Sequence, residues 1–428
     1  MKYHLKTLGC AKNTVDSWRM ESALRASGHI PSFDKREADL LLVNTCGFID
    51  EASDESLKAI RDLDSNRGKE QQLWVAGCLT QIASERVKKE IPGVDCTFGA
   101  EEWDSIAMKL GPSQEKYDIP DATMPGASVS AYLKVSDGCD RPCTFCIIPK
   151  IKGQMKSGDQ RRLLSEAKMH AHAGAKELVL IAQDTTAFGE DTKDSDGLAH
   201  LLEALSEAVP EVPWIRLMYA YPGKVTPRLA EAMSRLPNIV PYVDMPLQHG
   251  SDATLRRMKR PSLRKANQSL ELLTKQMPEI ALRTTFIVGF PGETESEFSE
   301  LLDFIEEWKF DHIGAFSYSP QEGTPAFSHE GFVESAVVAD RYSRLMTLAQ
   351  DISSSRTKEL VGKRVEVLIE SEEPGENIEG DLFSVGRSFR DAPEVDGMAF
   401  VKGVFKSGEL VPTIVKGALP YDLLCYPV

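Results

Sequence analysis

The sequence predicts an α/β protein in three parts: a doubly wound amino-terminal domain, a partial (β/α) barrel, and a small antiparallel β-barrel at the carboxyl end. Three observations support this prediction. Short apolar runs alternate with helical stretches from residue 1 to about 356, a pattern typical of α/β folds. A segment rich in proline and charge interrupts the alternation at residues 112–128, and helical periodicity ends near residue 357. These breaks place the domains at residues 1–111, 129–356 and 357–428.

The first domain repeats strand, turn and helix. Tyr3–Leu8 is a predicted strand, and a predicted helix near Val15–Ser27 follows it. Ala38–Asn44 and Leu73–Ala76 are apolar runs without alternation, as expected for strands that are buried on both faces of a parallel sheet. With a further helix around Ser84–Glu90, these elements predict an open parallel sheet with helices on both faces.

The second domain has six predicted strands with helical stretches between most of them. These strands are Ser130–Val135, Glu177–Ile181, Trp214–Leu217, Val240–Val243, Ala281–Val288 and His312–Phe316. Such repeated units predict an open (β/α) barrel, in which catalytic groups gather at the carboxyl ends of the strands. In the third domain, short alternating strands separated by Gly and Asp predict an antiparallel barrel of about five strands.

Composition limits where the protein works and what it binds. The 428 residues contain no apolar run near the roughly 18–20 residues that a membrane-spanning helix needs. Leu8-Gly9-Cys10 superficially resembles a lipoprotein cleavage site, but lysines and a histidine interrupt the apolar stretch that a secretory signal requires. We therefore expect a cytoplasmic protein. The net charge of −15 disfavours direct binding to a nucleic-acid backbone, although it leaves room for a local basic patch.

The eight cysteines of this long chain indicate metal ligands or catalytic thiols before disulfides. Three of them, here called the barrel set, form the run Cys139-Asp-Arg-Pro-Cys143-Thr-Phe-Cys146 directly after the first barrel strand. Three thiolates on one loop can hold three irons of a four-iron cluster, and the missing fourth ligand leaves one iron open to a substrate. A structural zinc site is the alternative, but it would need a fourth Cys or His that the loop lacks.

Three other cysteines, the amino-terminal set, share a position in the first domain. Cys10, Cys46 and Cys78 each fall where a predicted strand ends. The carboxyl ends of parallel strands share one edge of a doubly wound sheet, so these thiols can converge although they are 36 and 32 residues apart. This placement predicts a second cluster. The alternative is that each is a buried small residue, as free cysteine often is, and we hold that interpretation for Cys96 and Cys425.

The barrel set, with Phe145 before its last cysteine, resembles the signature of the radical S-adenosylmethionine superfamily. The resemblance implies that S-adenosylmethionine binds the open iron and is cleaved to a radical. The segment Ile287-Val-Gly289-Phe-Pro-Gly292-Glu293 looks like the superfamily segment beside the adenosyl group, with a plain strand-to-helix turn as the alternative. Gln183 is placed to hydrogen-bond the polar end of the cofactor, and Arg216 to pair with its carboxylate. Buried polar residues of barrels also pair with one another, which is the alternative for both.

The three-domain arrangement resembles the methylthiotransferase family over nearly the whole chain. The resemblance implies two 4Fe–4S clusters, one held by each cysteine set, with the amino-terminal cluster as the sulfur-donating site. It also implies that the carboxyl-terminal β-barrel is a TRAM domain that helps to hold the substrate. An external electron donor and a sulfur source are then expected as further partners. No carboxylate pair or Cys/His dyad stands out, so we assign no general acid or base.

Three segments resemble the branch of this family that methylthiolates an aspartate β-carbon of small-subunit ribosomal protein twelve. They are residues 244–250, 321–325 and 386–397. The third domain carries eight basic and thirteen acidic residues, and an acidic barrel suits a highly basic ribosomal protein. A solvated surface is the plainer explanation for that charge. Methylthiolation of a tRNA adenosine and a non-catalytic iron–sulfur scaffold are the other functions that the sequence leaves open.

Overall fold

The computed structural model describes residues 1–112, 128–371, 373–376 and 380–428. The predicted linker at residues 112–128 lies outside the described residues except for its two ends. Within this part of the chain, no helix combines the length and the apolar character that a membrane crossing needs. The strands form two parallel sheets, one small barrel and a two-stranded antiparallel sheet that lies within the second stretch of the chain.

The amino-terminal unit is a five-stranded parallel sheet with the order β2-β1-β3-β4-β5. Its elements are β1 Lys2–Thr7, α1 Ala11–Ala26, β2 Ile30–Pro31, β3 Leu40–Thr45, α2 Asp50–Asn66, β4 Gln72–Gly77, α3 Cys78–Glu90, β5 Cys96–Thr97 and α4 Trp103–Leu110. Every residue of β3 is buried, because α1 and α4 cover one face of the sheet and α2 and α3 cover the other. This double coverage explains the unbroken apolar run and confirms the doubly wound prediction.

The second unit is a six-stranded parallel sheet with the order β13-β12-β11-β10-β9-β6. Its elements are β6 Ser130–Lys134, β7 Ser136–Asp137, α5 Ile148–Lys152, β8 Lys156–Ser157, α6 Gln160–His172, β9 Glu177–Ile181, α7 Gly197–Ala208, β10 Trp214–Leu217, α8 Pro227–Arg235, β11 Ile239–Asp244, α9 Asp252–Arg257, α10 Leu263–Gln276, β12 Ala281–Val288, α11 Glu295–Trp308, β13 His312–Ser317 and α12 Ser335–Lys358. Strands follow one another around the sheet in chain order, and within the described residues the first and last strands do not pair. The predicted partial barrel is therefore confirmed.

The carboxyl-terminal unit is a closed barrel of five strands, β14, β18, β19, β17 and β16, with the short β15 attached to β16. Its elements are β14 Arg364–Ile369, β15 Gly375–Glu376, β16 Leu382–Ser388, β17 Ala399–Lys402, β18 Leu410–Ala418 and β19 Leu423–Pro427. The prediction of an antiparallel barrel is wrong for one pair, because β17 and β19 run parallel. A closed ring with an odd number of strands cannot alternate direction at every pair, so at least one parallel pair is required.

The carboxyl-terminal barrel packs on the amino-terminal ends of the second unit's strands. Arg387 of β16 pairs at 2.6 Å with Glu177, the first residue of β9, and also donates to the hydroxyl of Ser130, which begins β6. Arg390 pairs with Asp311, directly before β13. These contacts leave the carboxyl ends of the barrel strands free, and the loops that carry candidate site residues lie there.

Candidate active site

The barrel set lies on the loop between β7 and α5, at the carboxyl end of β6. The backbone N–H of Cys139 donates to the carbonyl of Gly153 at 3.1 Å, and the N–H of Cys146 donates to the carbonyl of Cys143 at 3.3 Å. These bonds fold the loop back on itself and hold its ends together. The loop therefore presents its three thiols from a fixed backbone, as a cluster-binding loop must.

Burial governs the electrostatics of these thiols. Burial, together with the neighbouring thiols of Cys143 and Cys139, raises the pKa of Cys146 to about 12. Burial likewise raises the pKa of Cys139. Arg260 donates to the sulfur of Cys143 at 3.6 Å, so a guanidinium already faces the set. Thiolates this close repel one another, and positively charged irons are the groups that would stabilise all three together.

Two segments singled out in the sequence surround this loop. Phe145 meets the ring of Phe290, in the Gly289–Gly292 turn, edge to face at 6.5 Å between centroids. The backbone N–H of Ala326, beside the Gly323–Pro325 loop, donates to the carbonyl of Thr144 at 2.8 Å. The structure thus brings together three stretches that are far apart in the sequence, at one mouth of the barrel.

The turn after β12 is tightly built. Gly289 has a φ of +75°, and a Cβ there would lie 2.5 Å from a methyl group of Val338. Its N–H donates at 3.0 Å to Glu293, and the Glu293 carboxylate also pairs with Arg341 at 2.8 Å and lies 3.4 Å from His249. The side chain of Glu293 is therefore used to hold the turn. Glu293 would therefore act on a cofactor only by positioning the backbone of the turn. Gly289 and Gly292 would likewise act through their backbone atoms.

Gln183 and Asp184 follow β9 and lie beside the barrel set. Asp184 accepts a hydrogen bond from Arg141, which stands between Cys139 and Cys143, at 2.6 Å. The side-chain oxygen of Gln183 is buried and has no hydrogen-bond partner within the described residues. A buried acceptor without a donor is costly, so this oxygen fits the amino group of a cofactor that is absent from the structure.

Arg216 lies elsewhere. Its guanidinium is completely buried, pairs with Glu177 at 2.6 Å, and donates at 2.7 Å to the carbonyl of Phe389 in the carboxyl-terminal barrel. The structure therefore does not support the prediction that Arg216 pairs with the cofactor carboxylate, because its guanidinium is already used by Glu177 and Phe389. The strand pattern located its position in β10 but not the direction of its side chain, which turns toward the amino-terminal end of β9.

The amino-terminal set occupies one edge of the first sheet, as predicted. Cys10 precedes α1 and is exposed, Cys46 follows β3, and Cys78 follows β4 and begins α3 directly. A Cβ on Gly9 would lie 2.8 Å from the Cβ of Cys46, so the first two strand ends are in contact. The three cysteine positions thus lie at neighbouring strand ends, as the sequence predicts.

Asn13 links these strand ends. Its side-chain amide donates to the carbonyls of Leu8 and Thr45, each at 2.9 Å, and its oxygen accepts from the thiol of Cys78 at 3.5 Å. Burial, together with the other two thiols of the set, raises the pKa of Cys78 to about 12. Within the described residues, no three Cys, His, Asp or Glu side chains are arranged around a single metal ion. A four-iron cluster makes a different demand, because it binds each thiolate through a separate iron.

The two cysteine sets are joined by an apolar contact, here called the Cys78 wall. Cys78 packs against Ile147 and Ile151 of the α5 region, and Ile147 directly follows Cys146 in the chain. Behind this wall, Lys134 and Lys152 of the second unit both pair with the buried carboxylate of Asp16 on α1. This ion cluster fixes one set relative to the other. Sequence reasoning missed it, although a lysine inside the otherwise apolar run of β6 is a signal for a buried partner.

Three family profiles match the chain: Uncharacterized protein family UPF0004 over residues 2–99, the Radical SAM superfamily over residues 133–305, and the TRAM domain over residues 361–428. A protein of Chloroflexus aurantiacus named ribosomal protein uS12 methylthiotransferase RimO is 41% identical over 454 residues, which cover 99% of both chains. Proteins of the same name from Roseiflexus castenholzii and Synechocystis are 41% and 39% identical. These alignments cover 99% and 97% of this chain and 95% of each relative.

Solved structures share the fold. The radical S-adenosylmethionine methyltransferase TsrM from Kitasatospora setae, with cobalamin and a 4Fe–4S cluster bound, superposes with a TM-score of 0.57 at 11% identity. It covers 88% of this chain and 80% of its own. The cobalamin-dependent radical enzyme OxsB superposes with a TM-score of 0.52 at 13% identity, over 81% of this chain and 56% of that chain. At such identities the likeness concerns the fold alone.

Proposed function

The chain belongs to the family of ribosomal protein uS12 methylthiotransferases, and from this premise we propose that it methylthiolates the β-carbon of an aspartate in uS12. The observation that carries the proposal is the 41% identity to a protein of that name over 99% of both chains. Membership in the radical S-adenosylmethionine superfamily implies S-adenosylmethionine and a 4Fe–4S cluster. The predicted family and enzyme class are thereby confirmed.

We assign that cluster to the barrel set, Cys139, Cys143 and Cys146. When bound, the cluster and S-adenosylmethionine supply a radical that can remove a hydrogen atom from an unactivated carbon. Arg260 donates to the sulfur of Cys143, and the oxygen of Gln183 would accept a hydrogen bond from the amino group of S-adenosylmethionine. The turn from Gly289 to Gly292 would offer its backbone to the adenosyl group, and its aromatic contact with Phe145 would keep water from this side.

We assign a second 4Fe–4S cluster to the amino-terminal set, Cys10, Cys46 and Cys78, with the role of sulfur donor. Two features support this assignment: Asn13 ties the three strand ends together, and the Cys78 wall places this set beside the barrel set. A substrate carbon must meet both the radical and the sulfur, so the two sites have to face one space. Three unrelated buried cysteines would not require that arrangement.

The proposed reaction needs partners besides uS12. Each turnover consumes an electron and a sulfur atom, so an external electron donor and a sulfur source must replenish them. We place the reaction in the cytoplasm, because ribosomal proteins are made and assembled there. The domain boundaries proposed from the sequence, 1–111, 129–356 and 357–428, contain the three profile matches.

The test is anaerobic reconstitution followed by three measurements: iron content, 5′-deoxyadenosine formation and the mass of uS12. The wild type should bind about eight irons, from two four-iron clusters. Alanine at all three positions of the barrel set should halve the iron content and abolish 5′-deoxyadenosine. Alanine at all three positions of the amino-terminal set should also halve the iron content, keep 5′-deoxyadenosine formation, and remove the mass increase of uS12.

A matched control is Cys96→Ala, which removes a thiol of the same domain that lies outside both sets and should change none of the three measurements. Full iron content in either triple variant would contradict the corresponding ligand assignment. The tRNA alternative is tested in the same preparation by analysing tRNA nucleosides. A methylthiolated adenosine, with uS12 unchanged in mass, would replace the proposed substrate.

A further inference from the structure

Lys12 is a cation at the contact between the amino-terminal unit and the carboxyl end of the barrel strands. It follows Cys10 by two residues, in the first turn of α1, and is half-buried. Its ammonium lies over the ring of Tyr219, with the nitrogen 3.4 Å from the ring centroid. Tyr219 follows β10 at the carboxyl end of the barrel, so this contact joins the amino-terminal unit to the barrel mouth.

Lys12 forms no ion pair within the part of the chain that the structure describes. No carboxylate of the described residues lies within ion-pair distance of its ammonium, whereas the neighbouring Lys134 and Lys152 both pair with Asp16. Asp244, at the end of β11, is paired instead with Arg283 at 2.9 Å. The first turn of α1 contains no acidic residue, and a helix begins with its positive end. A half-buried cation in such a place is costly unless an anion joins it.

The surroundings of Lys12 belong to the site that the proposed function describes. Tyr219 has a φ of +60°, a strained conformation for a residue other than glycine, and strain of this kind collects at functional positions. Two residues further on, Tyr221 lies beneath the guanidinium groups of Arg141 and Arg260, and Arg260 reaches Cys143. The ammonium of Lys12 therefore lies on the helix that follows Cys10 and contacts a residue two positions before the tyrosine that lies beside the barrel set.

We propose that Lys12 binds the side-chain carboxylate of the aspartate that the enzyme modifies. This inference rests on the proposed function, since only an aspartate substrate brings a carboxylate next to the reacting carbon. The β-carbon is bonded to that carboxylate, so an ion pair to Lys12 places the carbon between the radical site and the sulfur site. The same ion pair selects aspartate over its neutral isostere asparagine, because a charge-assisted hydrogen bond is stronger than a neutral one.

The experiment compares recombinant uS12 with a form that carries asparagine at the modified position, located by mass spectrometry. Binding of each form to the reconstituted enzyme is measured by fluorescence anisotropy. Wild-type enzyme should bind the aspartate form roughly 10- to 100-fold more tightly, the range expected for a hydrogen bond to a charged group. Lys12→Met keeps the apolar stem over Tyr219 and removes the charge, so this preference should fall to near unity. Lys12→Arg should keep most of it.

Lys109→Gln is the matched control, because Lys109 also lies over an aromatic ring of the same unit, that of Trp74 at 6.0 Å, and belongs to neither cysteine set. It should leave the preference at the wild-type value. If Lys12→Met prefers the aspartate form as strongly as the wild type does, the inference is wrong. It is also wrong if the wild-type enzyme itself binds both forms of uS12 equally. Loss of 5′-deoxyadenosine formation without uS12 in Lys12→Met would assign the lysine to the cofactor carboxylate instead. If the wild type leaves uS12 unmodified, the proposed function fails, and that result is distinct from all of these.

Discussion

Replacing Glu177 with glutamine should loosen the carboxyl-terminal barrel from the rest of the enzyme. Glu177 is fully buried at the start of β9 and pairs with two arginines, Arg216 of the same sheet and Arg387 of the carboxyl-terminal barrel, each at 2.6 Å. Arg387 keeps a second partner, Glu370. Arg216 keeps the carbonyl of Phe389 and the ring of Tyr242, and one of its nitrogens is already buried without a hydrogen-bond partner among the described residues. The variant therefore leaves a buried cation almost uncompensated.

Two routes give the size of this effect. Burial alone would raise the pKa of Glu177, but Arg216 and Arg387 outweigh it and lower the pKa from 4.5 to about 2. At 1.36 kcal/mol per pH unit, this fall corresponds to about 3 kcal/mol of stabilisation by the ionised form. Removing one partner of a buried ion pair typically costs about 3–5 kcal/mol. We therefore expect Glu177→Gln to destabilise the contact between the two units by about 3 kcal/mol.

Hydrogen exchange is the appropriate measurement, because a chain of several units need not unfold in one step. Backbone amides of β16, which carries Arg387, should lose protection in Glu177→Gln, while those of β3 in the amino-terminal unit should not change. Glu203→Gln is the control, since Glu203 is a partly exposed residue that pairs with two arginines on the surface. It should cost less than about 1 kcal/mol.

The same pairing predicts a dependence on pH. The pKa of Glu177 is lowered in the folded protein, so its contribution is complete above its ordinary value of 4.5 and is lost as the pH falls from there toward 2. Wild-type protection of β16 should fall over that range, and the glutamine variant should lack this component. If exchange in Glu177→Gln matches the wild type at neutral pH, the ion cluster does not hold the two units together, and the reasoning is wrong.

Three other perturbations test the rest of the site. Asp16→Asn leaves Lys134 and Lys152 to share Asp137 as their one remaining carboxylate among the described residues, so we expect about 2–3 kcal/mol lower stability and a larger loss of uS12 methylthiolation than of 5′-deoxyadenosine formation. Gly289→Ala combines a strained φ with a clash against Val338 and should reduce 5′-deoxyadenosine formation at least roughly tenfold; Val338→Ala should restore part of it, because the strain remains. Raising the salt concentration from about 0.05 to 0.5 M should lower kcat/KM for uS12 without slowing uncoupled cofactor cleavage, since salt screens the attraction between acidic enzyme and basic substrate.

Most of the fold could be predicted from the sequence, because the position of each strand and helix depends on the pattern of apolar residues among close neighbours in the chain. Strands β9, β10 and β12 begin and end where their apolar runs do. The convergence of the amino-terminal set also followed from pattern, since the carboxyl ends of parallel strands share an edge. The predicted antiparallel barrel failed at the pair β17–β19 because closure around five strands depends on the whole ring and not on any one strand.

Long-range partners could not be predicted in this way. Arg216 and Phe389 are 173 residues apart, and Lys134 and Asp16 are 118 residues apart. An arginine in a barrel strand shows that a buried anion or carbonyl exists, but the sequence offers both a cofactor carboxylate and Glu177 as that partner. Only the packing of the third unit on the amino-terminal ends of the strands decides between them.

The same packing gives a structural role to the segment 386–397, which of the three segments most specifically resembles the ribosomal-protein branch. Its Arg387 pairs with Glu177, its Arg390 with Asp311, and its Asp396 with Arg283 at 3.1 Å. All three side chains are therefore used in contacts between units, on the side of the sheet opposite the cysteine loops. The segment can mark a substrate branch without touching a substrate, because it sets how the carboxyl-terminal barrel is oriented on the radical core. Selection of the target side chain must then come from residues at the other end of the strands, where Lys12 lies.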